Sequence, residues 1–308
     1  MADAGVLTTK VKLRKVEAII NPLSGSVGAT ALAEMQELLA GYGLSSNVNA
    51  VQPDELSKAL EAAVGRSPDL LIVLAGDGTA RAACELAGER GPLIAPLPGG
   101  TVNVLPRSLY GTRDWKTALT ETLEAGVVRD VSGGEVDGRR FYCGAMLGWP
   151  ALWVRAREAA RDKNLHLALL RARHAWRRAF TGRVRFCLDG RSEARAEALM
   201  LLTPLTSKRM TDERALEVAA LNPSGLKDVL RVGFRVAVGE VIGDAFGDWR
   251  DDPAVQLGDC LTARAWGRGE LPAWLDGEPV RLATHVKIAF LPKAFRALTP
   301  AAEDPAKV

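Results

Sequence analysis

Hydrophobic positions in the first 130 or so residues fall into short unbroken runs, separated by stretches whose apolar residues repeat with helical period. Val16–Ile20, Leu70–Leu74 and Pro92–Leu97 are aliphatic runs of strand length, and Val48–Val51 reads as a further short strand. Leu70–Leu74 lies between Pro68 and Gly76, which marks a buried strand with abrupt ends. Between these runs, 30–40 places Leu32, Met35, Leu38 and Leu39 on one helical face and stops at Gly41 and Gly43. In 53–64, Leu56, Leu60 and Val64 stand at i, i+4 and i+8. Ala80–Ala87 is helical in composition, and Trp115–Ala125 predicts a further helix. Strand and helix thus alternate over 16–128, which predicts an open parallel sheet with helices on both faces.

Past residue 130 the texture changes. Gly133–Gly134 reads as a linker and Asp137–Gly138 as a hairpin turn. Val184–Leu188, Ala198–Leu202, Leu216–Leu221, Val229–Val238 and Leu261–Trp266 are strand-like, and Leu152–Phe180 is helical. This half predicts mostly antiparallel β structure. Val286–Leu291 is one more strand, able to pair with either half. The expected organisation is an α/β domain over 1–130 and a β-rich domain over 131–285, with 286–300 packing back onto the first. Residues 300–308 are expected to be disordered.

Composition narrows the function classes. The chain has 308 residues, 47% hydrophobic and 25% charged, with net charge +3. That balance is too mild to imply a nucleic-acid partner. No apolar stretch approaches the roughly 20 residues that span a bilayer, so any membrane contact is peripheral. Cys84, Cys143, Cys187 and Cys260 are far apart and show no metal or redox spacing. They predict reduced core thiols in a cytoplasmic protein, peripheral at most at the inner membrane surface. His166, His174 and His285 are equally scattered and suggest no histidine-centred metal site.

The candidate chemistry lies in the turns that follow the strands, because ligands of such sheets bind beyond the strands' carboxyl ends. Leu70–Leu74 runs into Gly76–Asp77–Gly78–Thr79 and then into a helix. Strand, glycine turn and helix N-terminus make a phosphate site. Asp77 would repel a phosphate unless a cation lay between them, which points to a nucleotide carrying Mg²⁺. Asn21–Pro22–Leu23–Ser24–Gly25 follows the first strand, and Pro98–Gly99–Gly100–Thr101–Val102–Asn103 follows the Pro92–Leu97 strand. Asp276–Gly277–Glu278–Pro279 adds two carboxylates near the end of the chain, and alone it reads as a hairpin turn.

In order and spacing these four segments resemble the diacylglycerol kinase catalytic-domain family, which includes bacterial lipid kinases and sphingosine kinases and is related to NAD kinases. The resemblance covers roughly residues 15–295, more closely in the first half. It implies an ATP-binding α/β domain followed by a β-sandwich that receives a lipid acceptor. Asn21, Ser24 and Gly25 would then form the first nucleotide turn. Gly76, Asp77, Gly78 and Thr79 would hold the phosphates and Mg²⁺, and Thr101 would contact nucleotide with support from Gly100 and Asn103. Glu278 would be the general base for the acceptor hydroxyl, with Asp276 orienting the cleft. Asp212 and Glu213 stand where the family often binds a second, structural Mg²⁺.

The chain departs from the family pattern at several of these places. Ala75 and Gly99 stand where glycine and leucine are usual. Arg81 and Ala82 follow Thr79 where asparagine and glutamate are common, and Val104 replaces an aspartate. Gly148–Trp149–Pro150–Ala151 lacks the acid of the family's Gly-Phe-Asp-Ala, and Arg214 follows Asp212–Glu213 in place of glycine. The basic stretch from Arg155 to Arg185, interleaved with leucines, Trp176 and Phe180, suits a peripheral contact with anionic membrane. The implied activity is transfer of the ATP γ-phosphate to a hydroxyl of a lipid such as diacylglycerol. An NAD kinase-like enzyme and a non-catalytic nucleotide- or lipid-binding relative are the alternatives.

Overall fold

The computed structural model describes residues 11–148, 183–207, 214–222 and 255–301. The predicted helix over 152–180, the strand over 229–238, the basic stretch up to residue 182, Pro150, Asp212 and Glu213 all lie outside the described residues. The chain divides into two units, 1–131 with 293–308, and 132–292.

In the first unit β1 (Lys15–Ile20), β2 (Ser45–Ala50), β3 (Leu70–Ala75) and β4 (Leu93–Pro98) form a parallel sheet in the order β2-β1-β3-β4. All six residues of β3 are buried, as a central strand covered on both faces requires. The crossover helices are α1 (Ala31–Gly41), α2 (Leu56–Gly65) and α3 (Asp77–Ala87). On α1 the buried stripe is Ala31, Met35 and Leu39, with Leu32 and Leu38 packed at its side. Pro53 precedes α2, which begins three residues later than the periodicity suggests and buries Leu56, Leu60 and Ala63. Two further helices follow β4, namely α4 (Val104–Tyr110) and α5 (Trp115–Ala125). Asp114 caps α5 by accepting the N–H groups of Lys116 and Thr117.

The second unit is antiparallel. One sheet runs β12 (Val255–Cys260), β11 (Leu216–Leu221), β10 (Ala198–Leu202), β7 (Gly144–Gly148), β14 (Leu271–Leu275), β15 (Glu278–Leu282). The other contains β13 (Thr262–Trp266), β8 (Val184–Leu188) and β9 (Ala194–Ala196) beside the first half of β16 (His285–Thr299). Phe186, Ala265 and Ile288 from this sheet share one buried cluster with Leu147, Leu201, Val218 and Ala273 from the first, so the two sheets enclose a common core. The fold class expected from the sequence is therefore observed. β16 serves both units: Val286 and Ile288 pair with Ala265 and Ala263 of β13, and Ala297 pairs with Ile94 of β4.

Gly133–Gly134 corrects the sequence reading. It is not a linker but part of β5 (Val127–Val136), which pairs with β6 (Arg139–Phe141) across Asp137–Gly138. Gly134 lies opposite Phe141, and a Cβ there would sit 2.1 Å from the aromatic ring. The glycine leaves room for the ring rather than freeing the chain.

Candidate functional site

The three turns at the carboxyl ends of β1, β3 and β4 come together in the first unit. Asn21 donates its N–H to the Leu74 carbonyl, and its Oδ1 accepts the N–H of Leu23 at 3.1 Å. Ser24 then donates to the Asn21 carbonyl, and Ser26 donates its N–H to the Gly99 carbonyl at 3.1 Å. The Ser26 hydroxyl reaches the Gly100 carbonyl at 3.2 Å. A Cβ on Gly25 would lie 2.7 Å from Thr101 Oγ1, one on Gly76 would lie 3.5 Å from Ser24 Oγ, and one on Gly100 would lie 2.9 Å from the Gly76 Cα. The first turn thus touches both others, and the third touches the second, through positions without side chains.

Two departures from the family pattern are neighbours here. Ala75 lies in the extended backbone of β3, where alanine is unstrained. Gly99, beyond the Ala75–Pro98 pair, has no side chain, and a Cβ on it would meet the Ala75 N at 2.7 Å and O at 2.9 Å.

Asn103 closes the third turn from a left-handed conformation, with φ 56°. Its Oδ1 accepts the Gly100 N–H at 2.6 Å and its Nδ2 donates to the Gly100 carbonyl at 2.8 Å. Buried as it is, Asn103 fixes the backbone of Gly100 and Thr101 and starts α4. Pro106 sits in the first turn of α4, where its missing N–H has no helical partner to lose. Ser26 belongs to the turn predicted after the first strand but had no role assigned, and α4 was not predicted. The Ser24–Gly25–Ser26 spacing was the available signal for Ser26, whereas Pro106 masked the helix.

Asp77 is the first residue of α3, one position inside the helix rather than in the loop before it. At this helix start the Thr79 N–H already donates to the Gly76 carbonyl at 3.1 Å, so the N–H groups that attract an anion are those before it. The Asp77 carboxylate accepts the Leu105 N–H at 3.3 Å, at the start of α4. Burial raises its pKa above the ordinary aspartate value; the amides of Leu105, Val104 and Asn103 and the Arg107 charge oppose that rise without cancelling it. A carboxylate so placed is short of positive charge. No group of three or more metal-ligating side chains occurs among the described residues. Mg²⁺ suits such a setting, since it needs only one or two carboxylates when phosphate oxygens and water complete its shell.

In the second unit, Asp276 and Gly277 form the two-residue turn joining β14 to β15, with φ 44° and 99°. Asp276 is 5% exposed. Its Oδ2 accepts the Tyr142 N–H at 2.5 Å, and its Oδ1 accepts those of Cys143 and Gly144 at 2.8 and 2.9 Å. Its own N–H donates to the Gly144 carbonyl. The carboxylate is therefore engaged in holding the start of β7. Glu278 opens β15, opposite Leu275, and is half-buried. The hairpin reading of this segment is correct, and the turn carries a buried aspartate as well.

The four cysteines are buried and none forms a disulfide. No helix among the described residues is long and apolar enough to cross a membrane.

Residues 15–136 match the model of the diacylglycerol kinase catalytic domain. A diacylglycerol kinase of Bacillus subtilis is 31% identical over 134 residues, which are 42% of this chain and 44% of that protein, less than half of its length. The crystal structure of a diacylglycerol kinase from Bacillus anthracis superposes with a TM-score of 0.64 at 17% identity, covering 97% of this chain and 100% of that one. An NAD kinase from Archaeoglobus fulgidus, solved in complex with ATP, gives a TM-score of 0.51 at 12% identity over 92% of this chain and 94% of that one. Residues 15–136 are thus similar to the diacylglycerol kinase catalytic domain, and the fold of the chain is the one seen in the solved diacylglycerol kinase and NAD kinase structures.

Proposed function

We propose that this protein is an ATP- and Mg²⁺-dependent lipid kinase that transfers the γ-phosphate to a hydroxyl of a lipid such as diacylglycerol. The observation that carries the reading is the meeting of the three turns, Gly25 against Thr101 and Gly100 against Gly76. Backbone N–H groups exposed where no Cβ intrudes bind phosphate oxygens without adding bulk. The α3 N-terminus, with Gly76, Gly78 and Thr79, holds the phosphate chain; Asn21, Ser24, Gly25 and Thr101 wall the nucleotide; Gly100 and Asn103 fix the third turn.

Asp77 supplies the carboxylate for Mg²⁺, which when bound neutralises charge on the phosphates. Glu278 takes the proton from the acceptor hydroxyl as its oxygen bonds to the γ-phosphorus and the bridging P–O bond to ADP breaks. Asp276 keeps the backbone of the Glu278 turn in place. Asp212 and Glu213 are the residues that would hold a second Mg²⁺. The diacylglycerol kinase model that residues 15–136 match supports a lipid hydroxyl as the acceptor.

The test incubates purified protein with labelled ATP, Mg²⁺ and a total lipid extract, with diacylglycerol and NAD as separate acceptors. Glu278→Gln and Asp77→Asn are expected to lower turnover by about 10²–10⁴, the usual worth of a positioned base or a charge clamp. Near-wild-type turnover in either variant would remove that residue from the mechanism. Label appearing in NAD and not in lipid would replace the lipid acceptor by a nucleotide.

A further inference from the structure

The sheet of the first unit has a second concave end. At the amino ends of β3 and β4, six residues of strand away from the glycine turns, lies a cavity of about 530 Å³, within the range of small-molecule sites. A six-residue strand is roughly 20 Å long, so the two ends are distinct places. Three cations line this cavity, Lys12, Arg90 and Arg296, against one carboxylate, Asp69. The Asp69 carboxylate already accepts the N–H groups of Arg14 and Lys15 at 2.7 and 2.9 Å, and those bonds hold it ionised. Its charge offsets one of the three cations and leaves two uncompensated among the lining residues.

Arg296 is held in place by one bond, from its terminal nitrogen to the Gly91 carbonyl at 2.7 Å. Its Nε is buried and donates to no acceptor. The guanidinium itself lines the cavity, and its planar fork is suited to an oxyanion there. Val11, Val64 and Leu93 complete an apolar wall beside these groups.

We infer that this cavity binds a phosphate monoester, whose dianion at neutral pH matches three cations opposed by one carboxylate. The site is independent of the glycine turns and of the kinase reading. The same chemistry is offered by a lipid phosphomonoester and by a soluble phosphate ester.

Calorimetry on the full chain, with saturating Mg-ADP present to occupy the glycine turns, separates these cases. The probes are inorganic phosphate, glycerol 3-phosphate and dioctanoyl phosphatidate. Saturable binding that persists in Mg-ADP is expected, weakened about tenfold or more in a Lys12→Gln/Arg90→Gln variant, the equivalent of losing one charge-assisted contact. Both positions are exposed, so that variant should melt like the wild type. Tighter binding of phosphatidate assigns a lipid source, and equal or tighter binding of glycerol 3-phosphate assigns a soluble one. Absence of saturable binding for all three probes, equal affinity in the variant, or displacement by Mg-ADP would overturn the inference. Because binding is read without turnover, a failed kinase assay would leave this result standing.

Discussion

Removing the Asp276 carboxylate should unfold the second unit well before it touches chemistry in any selective way. Three backbone N–H groups, on Tyr142, Cys143 and Gly144, end on this one side chain, and Asp276 and all three partners are buried. Asp276→Ala leaves three buried donors without acceptors, at about 1–3 kcal/mol each. It also puts alanine at φ 44°, where a Cβ without a local hydrogen bond costs about 1 kcal/mol. A total of about 5 kcal/mol is a conservative sum. At about 2–4 °C per kcal/mol for a unit of this size, Tm falls by roughly 10–20 °C. Asp276→Asn is the discriminating partner. Its remaining oxygen can keep Cys143 and Gly144, both of which bond to Oδ1, while its amide nitrogen faces the Tyr142 N–H. One bond of about 2 kcal/mol is lost, and Tm should fall by about 4–8 °C. Asp189→Ala serves as the control, because that carboxylate makes a similar bridge to Leu261 and Thr262 in an exposed setting and should cost about 1–2 kcal/mol, much of it for alanine at φ 45°. The assay is thermal unfolding followed by near-ultraviolet circular dichroism. Asn and Ala variants melting together, or an Ala variant within about 2 °C of wild type, would refute the claim that these bonds carry the turn.

Two other perturbations probe the nucleotide half. Asp77 has a folded pKa raised above its ordinary 3.8, so its neutral form favours the fold and that contribution is lost as pH rises through the raised value. Asp77→Asn is therefore expected to raise Tm at pH 7 while lowering turnover by about 10²–10⁴, with the gap in Tm closing as pH falls towards 3.8; a variant less stable than wild type at pH 7 would reverse the expected sign. Gly99→Ala should lower Tm by roughly 3–10 °C, since its Cβ meets the Ala75 backbone and overpacking costs about 1–3 kcal/mol, whereas Gly25→Ala meets only the rotatable Thr101 hydroxyl and should change Tm little while weakening Mg-ADP binding by calorimetry. Equal Tm losses in the two variants would remove the distinction between backbone and side-chain contact.

The parallel half was legible because its signals are local and agree with one another. β3 is a continuous aliphatic run flanked by Pro68 and Gly76, and α5 has its cap, Asp114, immediately before it. The three turns could be placed at one edge because parallel strands deliver their carboxyl ends there. What the sequence hid depended on distant partners. Gly133–Gly134 has the composition of a linker, and only the Phe141 ring across the strand explains it. β14 and β15 were missed because each contains a proline. Pro272 lies outside the register with β7, and Pro279 is on the edge strand β15, so neither removes a bond that the sheet needs. The cationic cavity was invisible because Lys12, Arg90 and Arg296 are brought together only by the ends of strands far apart in sequence.

The Asp-Gly pairs show how one short motif carries two meanings at once. Asp137, Asp189 and Asp276 are all followed by glycine, and all adopt positive φ with the glycine after them. In each case the carboxylate crosses to a neighbouring strand and accepts a backbone N–H: Lys287 for Asp137, Leu261 and Thr262 for Asp189, and the Tyr142–Gly144 run for Asp276. The turn preference of Asp-Gly explains the bend, and the carboxylate explains why asparagine, which bends as well, would serve less well. Of the three, only Asp276 is deeply buried and only its glycine is followed by a glutamate. A general base must be held within a few tenths of an ångström, and a turn tied down by three amide bonds provides that rigidity. The hairpin and the active-site readings of Asp276–Glu278 are thus not rivals: the strength of the turn is what would allow Glu278 to act as a base.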